Sequence, residues 1–237
     1  MALYVCRDGD AITQEDLRRM ARLMPPDRRV RWKKFRSDQD ARNLVVAYWL
    51  AMFGLQQESP EAAGLPWRYS RYGKPAVEGT EFNISHSAEL CACGVSRSEI
   101  GVDVQQIERS LDVVELAEVV MGAREMARIT QALDSHSAFI RLWAMKESYV
   151  KCLGGGLYYQ LPSIDLSGLS EGGGEYRGLQ LETWRHGDYW FSVCTREGGQ
   201  WPSDVHHVPA ETLLSLAEQM GPSVNQEASS KDRKSVV

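Results

Sequence analysis

Four residues at helical spacing open the case for chemistry. In the segment Phe139–Leu153, Trp143, Lys146, Glu147 and Lys151 stand at i, i+3, i+4 and i+8. At about 100° per residue they share a stripe about 140° wide. A core-facing stripe should be apolar, yet this one carries two ammonium groups and a carboxylate. It is either a site or a solvated face on which Glu147 and Lys151 form an i,i+4 pair, worth about a few tenths of a kcal/mol. A second carboxylate sits in the run Ile100-Gly101-Val102-Asp103-Val104-Gln105. In a strand, Val102 and Val104 face one way while Asp103 and Gln105 face the other. An aspartate inside a β-branched run is disfavoured by strand propensity, and if buried it needs a partner or a metal. Asp103 and Glu147, from different elements, would supply two hard oxygen ligands of the kind that hold Mg²⁺ together with substrate phosphates. The alternative for Asp103 is a capping residue at a strand end. A third segment, Asn83-Ile84-Ser85-His86-Ser87, runs from a strand into a loop of hydroxyls and an imidazole. It would hold a phosphate, or it is a serine-rich turn with an exposed histidine.

These residues need elements to position them. Residues 3–6 read as a strand, and Thr13 with Asp16 as the cap of a helix reaching Leu23, broken by Pro25-Pro26. Ser37 or Asp38 caps an apolar helix from Ala41 to Phe53 that Gly54 ends. Residues 67–75 read as loop. Short strands follow at 82–84, 90–95 and 100–104, and the last two read as an antiparallel hairpin about the turn Ser96-Arg97-Ser98. Ser110 caps a helix to Met121, a second helix covers 123–133, and Ser137 opens the charged helix, closed by Gly154-Gly155-Gly156. Strands at 178–185 and 189–195 flank the Gly187-Asp188 turn. A short helix spans 210–220, and the polar tail from Pro222 reads as disordered.

Composition narrows the class. The chain has 237 residues, 43% hydrophobic and 25% charged, as in a water-soluble globular protein. No apolar run approaches the roughly 18 residues of a membrane span, and the start of the chain has no secretory layout, so the expected location is cytoplasmic. Five cysteines without a CxxC pair read as reduced thiols. A net charge of −5 argues against a general nucleic-acid binder. Between Arg18 and Arg42, however, ten basic residues meet three acidic ones. That cluster suits a small polyanion such as a nucleotide phosphate, or it is a solvated helix face. His136, His186, His206 and His207 have no companions at useful spacing.

Taken in order, Tyr-Gly-Lys-Pro at 72–75, Phe-Asn-Ile-Ser-His-Ser at 82–87, Ile-Gly-Val-Asp-Val at 100–104, and Phe-x3-Trp-x2-Lys-Glu-Ser-x2-Lys-x2-Gly at 139–154 resemble the Sfp-type (surfactin-type) 4′-phosphopantetheinyl transferases, over about residues 1–200. The resemblance implies an α+β fold of two pseudo-symmetric α/β halves, each a small antiparallel sheet with packed helices, and an active site between them. The halves would be residues 1–103 and 104–205, followed by a C-terminal segment, 206–237. It implies transfer of 4′-phosphopantetheine from coenzyme A to a serine of an apo acyl- or peptidyl-carrier protein, releasing 3′,5′-ADP, with Mg²⁺ or Mn²⁺, by a monomer that engages neither nucleic acid nor membrane. It also implies roles. Asp103, Gln105 and Glu147 would be the metal set. Glu147, Lys151 and His86 would be the catalytic set. Arg28, Arg31, Lys74, Pro75, Ser85, His86, Lys146 and Lys151 would bind coenzyme A. Glu125 matches a family acid after the metal strand, and Arg42 a displaced basic residue. The family's metal strand carries Asp-x-Glu, and this chain has Gln105 at the third position, one negative charge fewer. Two other functions stay open on the residues alone: a metal-dependent phosphoesterase acting on coenzyme A, and a non-catalytic coenzyme A-binding protein.

Overall fold

The computed structural model describes residues 1–156, 159–196 and 205–220. In chain order the first part contains β1 (Ala2–Cys6), α1 (Gln14–Leu23), α2 (Pro26–Trp32), α3 (Asp38–Glu58), β2 (Arg68–Tyr69), β3 (Pro75–Val77), β4 (Thr80–Ser87) and β5 (Leu90–Ser96). The second contains β6 (Ile100–Gln106), α4 (Val113–Val120), α5 (Ala123–Gln131), α6 (Ser135–Leu153), β7 (Gly173–Tyr176), β8 (Leu179–His186) and β9 (Tyr189–Thr195). A strand β10 (His206–His207) and a helix α7 over 210–220 follow.

Strands apolar on both faces must be covered twice, and that requirement sets the layering. β1, β5 and β9 are buried along their whole length. Tyr4, Cys6, Cys91, Cys93 and Val95 turn one way and pack with α1, α3 and α7. Leu3, Val5, Leu90 and Ala92 turn the other way and meet Ile100, Val102, Val104, Phe191 and Val193. Trp190, Cys194, Leu179 and Leu181 then face α4, α5 and α6. The order is helices, sheet, sheet, helices. The first sheet runs β10-β1-β5-β4-β3-β2 and the second β6-β9-β8-β7. All pairs are antiparallel except β1 with β10, which run parallel. The architecture is the expected α+β arrangement of two helix-backed sheets.

Several elements differ from the sequence reading. The hairpin expected over Leu90–Val104 does not form: β5 pairs with β1 and β4, and β6 pairs with β9 in the other sheet. Their apolar residues meet face to face between the sheets. Gly94 is the contact point, since a Cβ there would lie 2.6 Å from Val102 Cγ2. Pro25-Pro26 ends one helix but also starts the next, because a proline at the first helical position gives up only an N–H that has no partner there. Gly54 does not end α3; it lies inside the helix, where a Cβ would be 3.0 Å from both Tyr4 and Val95. Asp112 caps α4 in place of Ser110, and Asp134 caps α6 in place of Ser137, accepting from the Ser137 N–H at 3.0 Å. Thr13 and Ser37 cap α1 and α3, accepting from the Asp16 and Asp40 N–H groups at 3.1 and 3.3 Å. The tail from Pro222 lies outside the described residues.

Two features bring β6 to the site. Gly101 lets α6 lie directly on the strand, since a Cβ would sit 1.9 Å from the Ser148 carbonyl oxygen. The free edge of β6 is held by side chains of β4. Asn83 Oδ1, Ser85 Oγ and Ser87 Oγ accept from the N–H groups of Val102 (2.8 Å), Val104 (3.3 Å) and Gln106 (3.0 Å). The alternation in Asn83-x-Ser85-x-Ser87 is thus a three-rung stitch between the sheets.

Candidate active site

A cleft of about 460 Å³ opens where the stitch, α2, the loop before β3 and the C-terminal half of α6 converge. Asp103 projects from the α6-facing side of β6 and is 1% exposed. Its Oδ1 accepts from Ser85 Oγ at 2.8 Å and lies 2.6 Å from Lys151 Nζ; its Oδ2 accepts from Gln105 Nε2 at 3.0 Å. Ser85 Oγ is itself a hub, since it also accepts from Lys151 Nζ at 3.1 Å and from the Val104 N–H. Its donor and acceptor capacity is spent on β6 and Lys151, so its place here is structural rather than open to a phosphate.

Glu147 lines the same cleft, one turn before Lys151 on α6. Among the described residues it has no hydrogen-bond or ion-pair partner. Its carboxyl pKa is raised, first by desolvation and then by the neighbouring negative charge of Asp103, with Lys151 acting the other way. A carboxylate drawn out of water beside a second carboxylate calls for a cation. The donors around it are hard: two carboxylates and the Gln105 amide, whose nitrogen faces Asp103. Among the described residues no three His, Cys, Asp or Glu side chains converge as a metal cluster, as expected with an amide in the third place. Oxygen donors without sulfur or imidazole fit Mg²⁺.

The cations divide into two groups. Arg28, Arg31, Lys74 and Lys151 line the cleft, as do Pro75 and His86. His86 has its pKa lowered, mainly by desolvation and then by Lys151. Lys74 is engaged: its Nζ donates to the Cys152 carbonyl at 3.0 Å and lies 3.7 Å from Glu81, so it ties the loop to the end of α6. Gly154 closes α6 there in the left-handed conformation, φ +68°.

Lys146 is not in the cleft. It is 0% exposed, its Nζ lies 2.6 Å from Glu125 Oε2, and it donates to the carbonyls of Val120 (3.0 Å) and Leu161 (2.7 Å). It trails Glu147 by 100° around α6, enough to turn it to the opposite edge of the stripe. Glu125 accepts from the Gly122 and Leu166 N–H groups at 2.8 and 3.0 Å, so the pair pins α4, α5 and the following loop to α6. Lys146, expected to bind coenzyme A, and Glu125, expected to match a family acid, are together an internal fastener. Arg42 is likewise elsewhere, donating to the carbonyls of Gly9 and Ile12. The sequence reading missed Tyr69 and Trp67, which flank Arg28; the Trp-Arg-Tyr run at 67–69 was the available signal, hidden by its reading as loop.

Residues 99–201 match the family model of the 4′-phosphopantetheinyl transferase superfamily. The 4′-phosphopantetheinyl transferase gsp of Aneurinibacillus migulanus is 37% identical over 124 residues, 51% of this chain and 49% of that protein. The 4′-phosphopantetheinyl transferase Sfp of Bacillus subtilis strain 168 is 25% identical over 172 residues, 70% of this chain and 76% of that protein. The 4′-phosphopantetheinyl transferase AcpT of Salmonella typhi is 35% identical over 103 residues, 41% of this chain and 53% of that protein. The chain thus spans about half the length of two of these relatives and three quarters of the other. The match over residues 99–201 to the 4′-phosphopantetheinyl transferase superfamily model includes the strand of Asp103 and the helix of Glu147 and Lys151.

Proposed function

We propose that this protein transfers 4′-phosphopantetheine from coenzyme A to a serine of an apo carrier protein, releasing 3′,5′-ADP. One observation carries the reading: Asp103 and Glu147, from a strand and a helix, open into one cleft with Lys151, Arg28 and Arg31. Two carboxylates beside three cations suit a metal-bridged polyphosphate, and phosphoryl transfer asks the protein mainly for positioning and charge stabilisation. Asp103 and Glu147, with the Gln105 amide oxygen, would hold Mg²⁺, which supplies charge neutralisation at the diphosphate oxygens. Lys151 stabilises the leaving phosphate from the cleft floor. Glu147 accepts the serine proton, directly or through a water beside the metal. Arg28 and Arg31 bind the nucleotide's phosphate from α2, Pro75 flanks the adenine, and neutral His86 donates to a phosphate oxygen. The part up to β5 would then chiefly hold coenzyme A, and the part from β6 onward, which carries Asp103, Glu147 and Lys151, would act on it.

The carrier would dock beside the cleft. α4 leaves Leu116 and Val119 exposed on one face, apolar surface that supports a protein contact. Among the described residues no helix is long and apolar enough to cross a membrane.

The deciding assay incubates the protein with coenzyme A, Mg²⁺ and an apo carrier protein, and weighs the carrier by mass spectrometry. A gain of one phosphopantetheine is expected. Phosphopantetheine released to water with an unmodified carrier would instead assign a phosphoesterase, and coenzyme A binding without either product a binding protein. Gln105→Glu restores the missing negative charge and is expected to lower the half-saturating Mg²⁺ concentration about tenfold, with saturated turnover within about threefold. A magnesium titration of activity checks this; an unchanged midpoint would remove position 105 from the metal's surroundings.

A further inference from the structure

Arg28 is only 5% exposed, yet it lines the cleft and, among the described residues, has no carboxylate within ion-pair distance. A guanidinium in that position must be held by other means. Its Nε donates to Tyr69 Oη at 3.0 Å, and Tyr69 Oη donates on to Asp27 Oδ2 at 2.7 Å. Its Cζ lies 4.6 Å from the Trp67 ring centroid and 5.5 Å from that of Tyr69. Trp67 is fixed in turn by Tyr48 and Phe82, at centroid distances of 5.0 and 4.6 Å. Among the described residues nothing accepts from the two terminal Nη groups. The Nε side is thus anchored, the flat face is backed by aromatic rings, and the forked end is left for an anion.

We infer that Tyr69 is a positioning residue for coenzyme A: through Arg28 Nε it fixes the plane of the guanidinium, so that the two Nη groups meet a phosphate of the nucleotide as a pre-set fork. The inference rests on the proposed function and assigns a role to a residue outside the cleft lining. Charge-assisted, bidentate contacts depend on that plane, because a free Arg side chain must otherwise lose rotamer freedom on binding. Asp27 completes the relay by holding the tyrosyl hydrogen, which leaves the oxygen lone pair turned to Arg28. β2, two residues long at the sheet edge, serves to bring Trp67-Arg68-Tyr69 over α2.

Tyr69→Phe keeps the ring and removes the relay oxygen. Coenzyme A binding by titration calorimetry, and KM in the carrier assay, are expected to weaken about tenfold, the worth of one charge-assisted hydrogen bond, with kcat within about twofold. Tyr69 is 43% exposed, so the melting temperature should stay within about 2 °C of wild type. In an Arg28→Lys background, which has no Nε to orient, the further Tyr69→Phe change is expected to have no effect on affinity. Unchanged affinity in Tyr69→Phe, or additive losses in the double variant, overturns the inference alone. Failure of the wild-type protein to bind coenzyme A overturns the functional reading together with it.

Discussion

Asp103→Ala is expected to abolish carrier modification at every magnesium concentration, a loss of about a thousandfold or more. The side chain gathers Ser85, Gln105 and Lys151 around a carboxylate almost closed to solvent. Removing it deletes a proposed metal ligand, takes the counter-charge from the Lys151 ammonium, and leaves the Gln105 amide without its acceptor. Asp103→Asn keeps the shape and the neighbours while removing the charge, so it separates loss of charge from loss of packing, and it too should fail. Glu147→Gln in the same series should lower kcat about a hundredfold or more while KM for coenzyme A stays within about threefold. Glu147 has no partner among the described residues, so its melting temperature should not fall. A magnesium titration of mass-detected transfer, beside thermal melts, reads all three variants. Near wild-type transfer in Asp103→Ala would remove the residue from the metal site; near wild-type turnover in Glu147→Gln would place the base elsewhere.

Lys146→Ala should act on stability. It leaves the Glu125 carboxylate at the centre of the second half with two N–H donors and no counter-charge, at a cost of about 3–5 kcal/mol. Against a total of about 5–15 kcal/mol for an ordinary domain, that is a large share. Burial lowers the Lys146 pKa, and the Glu125 hydrogen bond and charge oppose that shift. Urea denaturation measures the loss. Lys146→Met combined with Glu125→Gln, which removes both charges and keeps one amide acceptor for the backbone, should recover more than half of it. Normal stability with a raised KM for coenzyme A in Lys146→Ala would return Lys146 to the phosphate site.

How much of this was legible in the sequence differs by scale. Asp103 stood out because a carboxylate inside a β-branched run conflicts with strand propensity, and the conflict located the cleft. Glu147 and Lys151 followed from helical spacing. The same spacing misplaced Lys146, because a stripe about 140° wide has two edges, and only the partner waiting at one of them, Glu125, decides which way a side chain turns. The β5–β6 hairpin failed for a related reason. Three polar residues between two apolar runs look the same whether the strands pair by backbone or stack by side chains, and only the burial of both faces of β5 distinguishes the two. Ser85 was read correctly as a residue of the cleft but given a ligand where it has protein partners. Its obligations to Val104, Asp103 and Lys151 lie 18 or more residues away, beyond any local pattern.

The stitch from Asn83, Ser85 and Ser87 to β6 has a consequence for how such a site can change over time. A backbone ladder is written into every residue alike and cannot be edited by swapping side chains. A seam carried by three short polar side chains can be. Each rung is a single codon, so the hold of one sheet on the strand that bears Asp103 can be loosened or tightened stepwise while both sheets keep their own pairing. The grip on the acidic group thereby becomes a heritable dial, separate from the integrity of the fold.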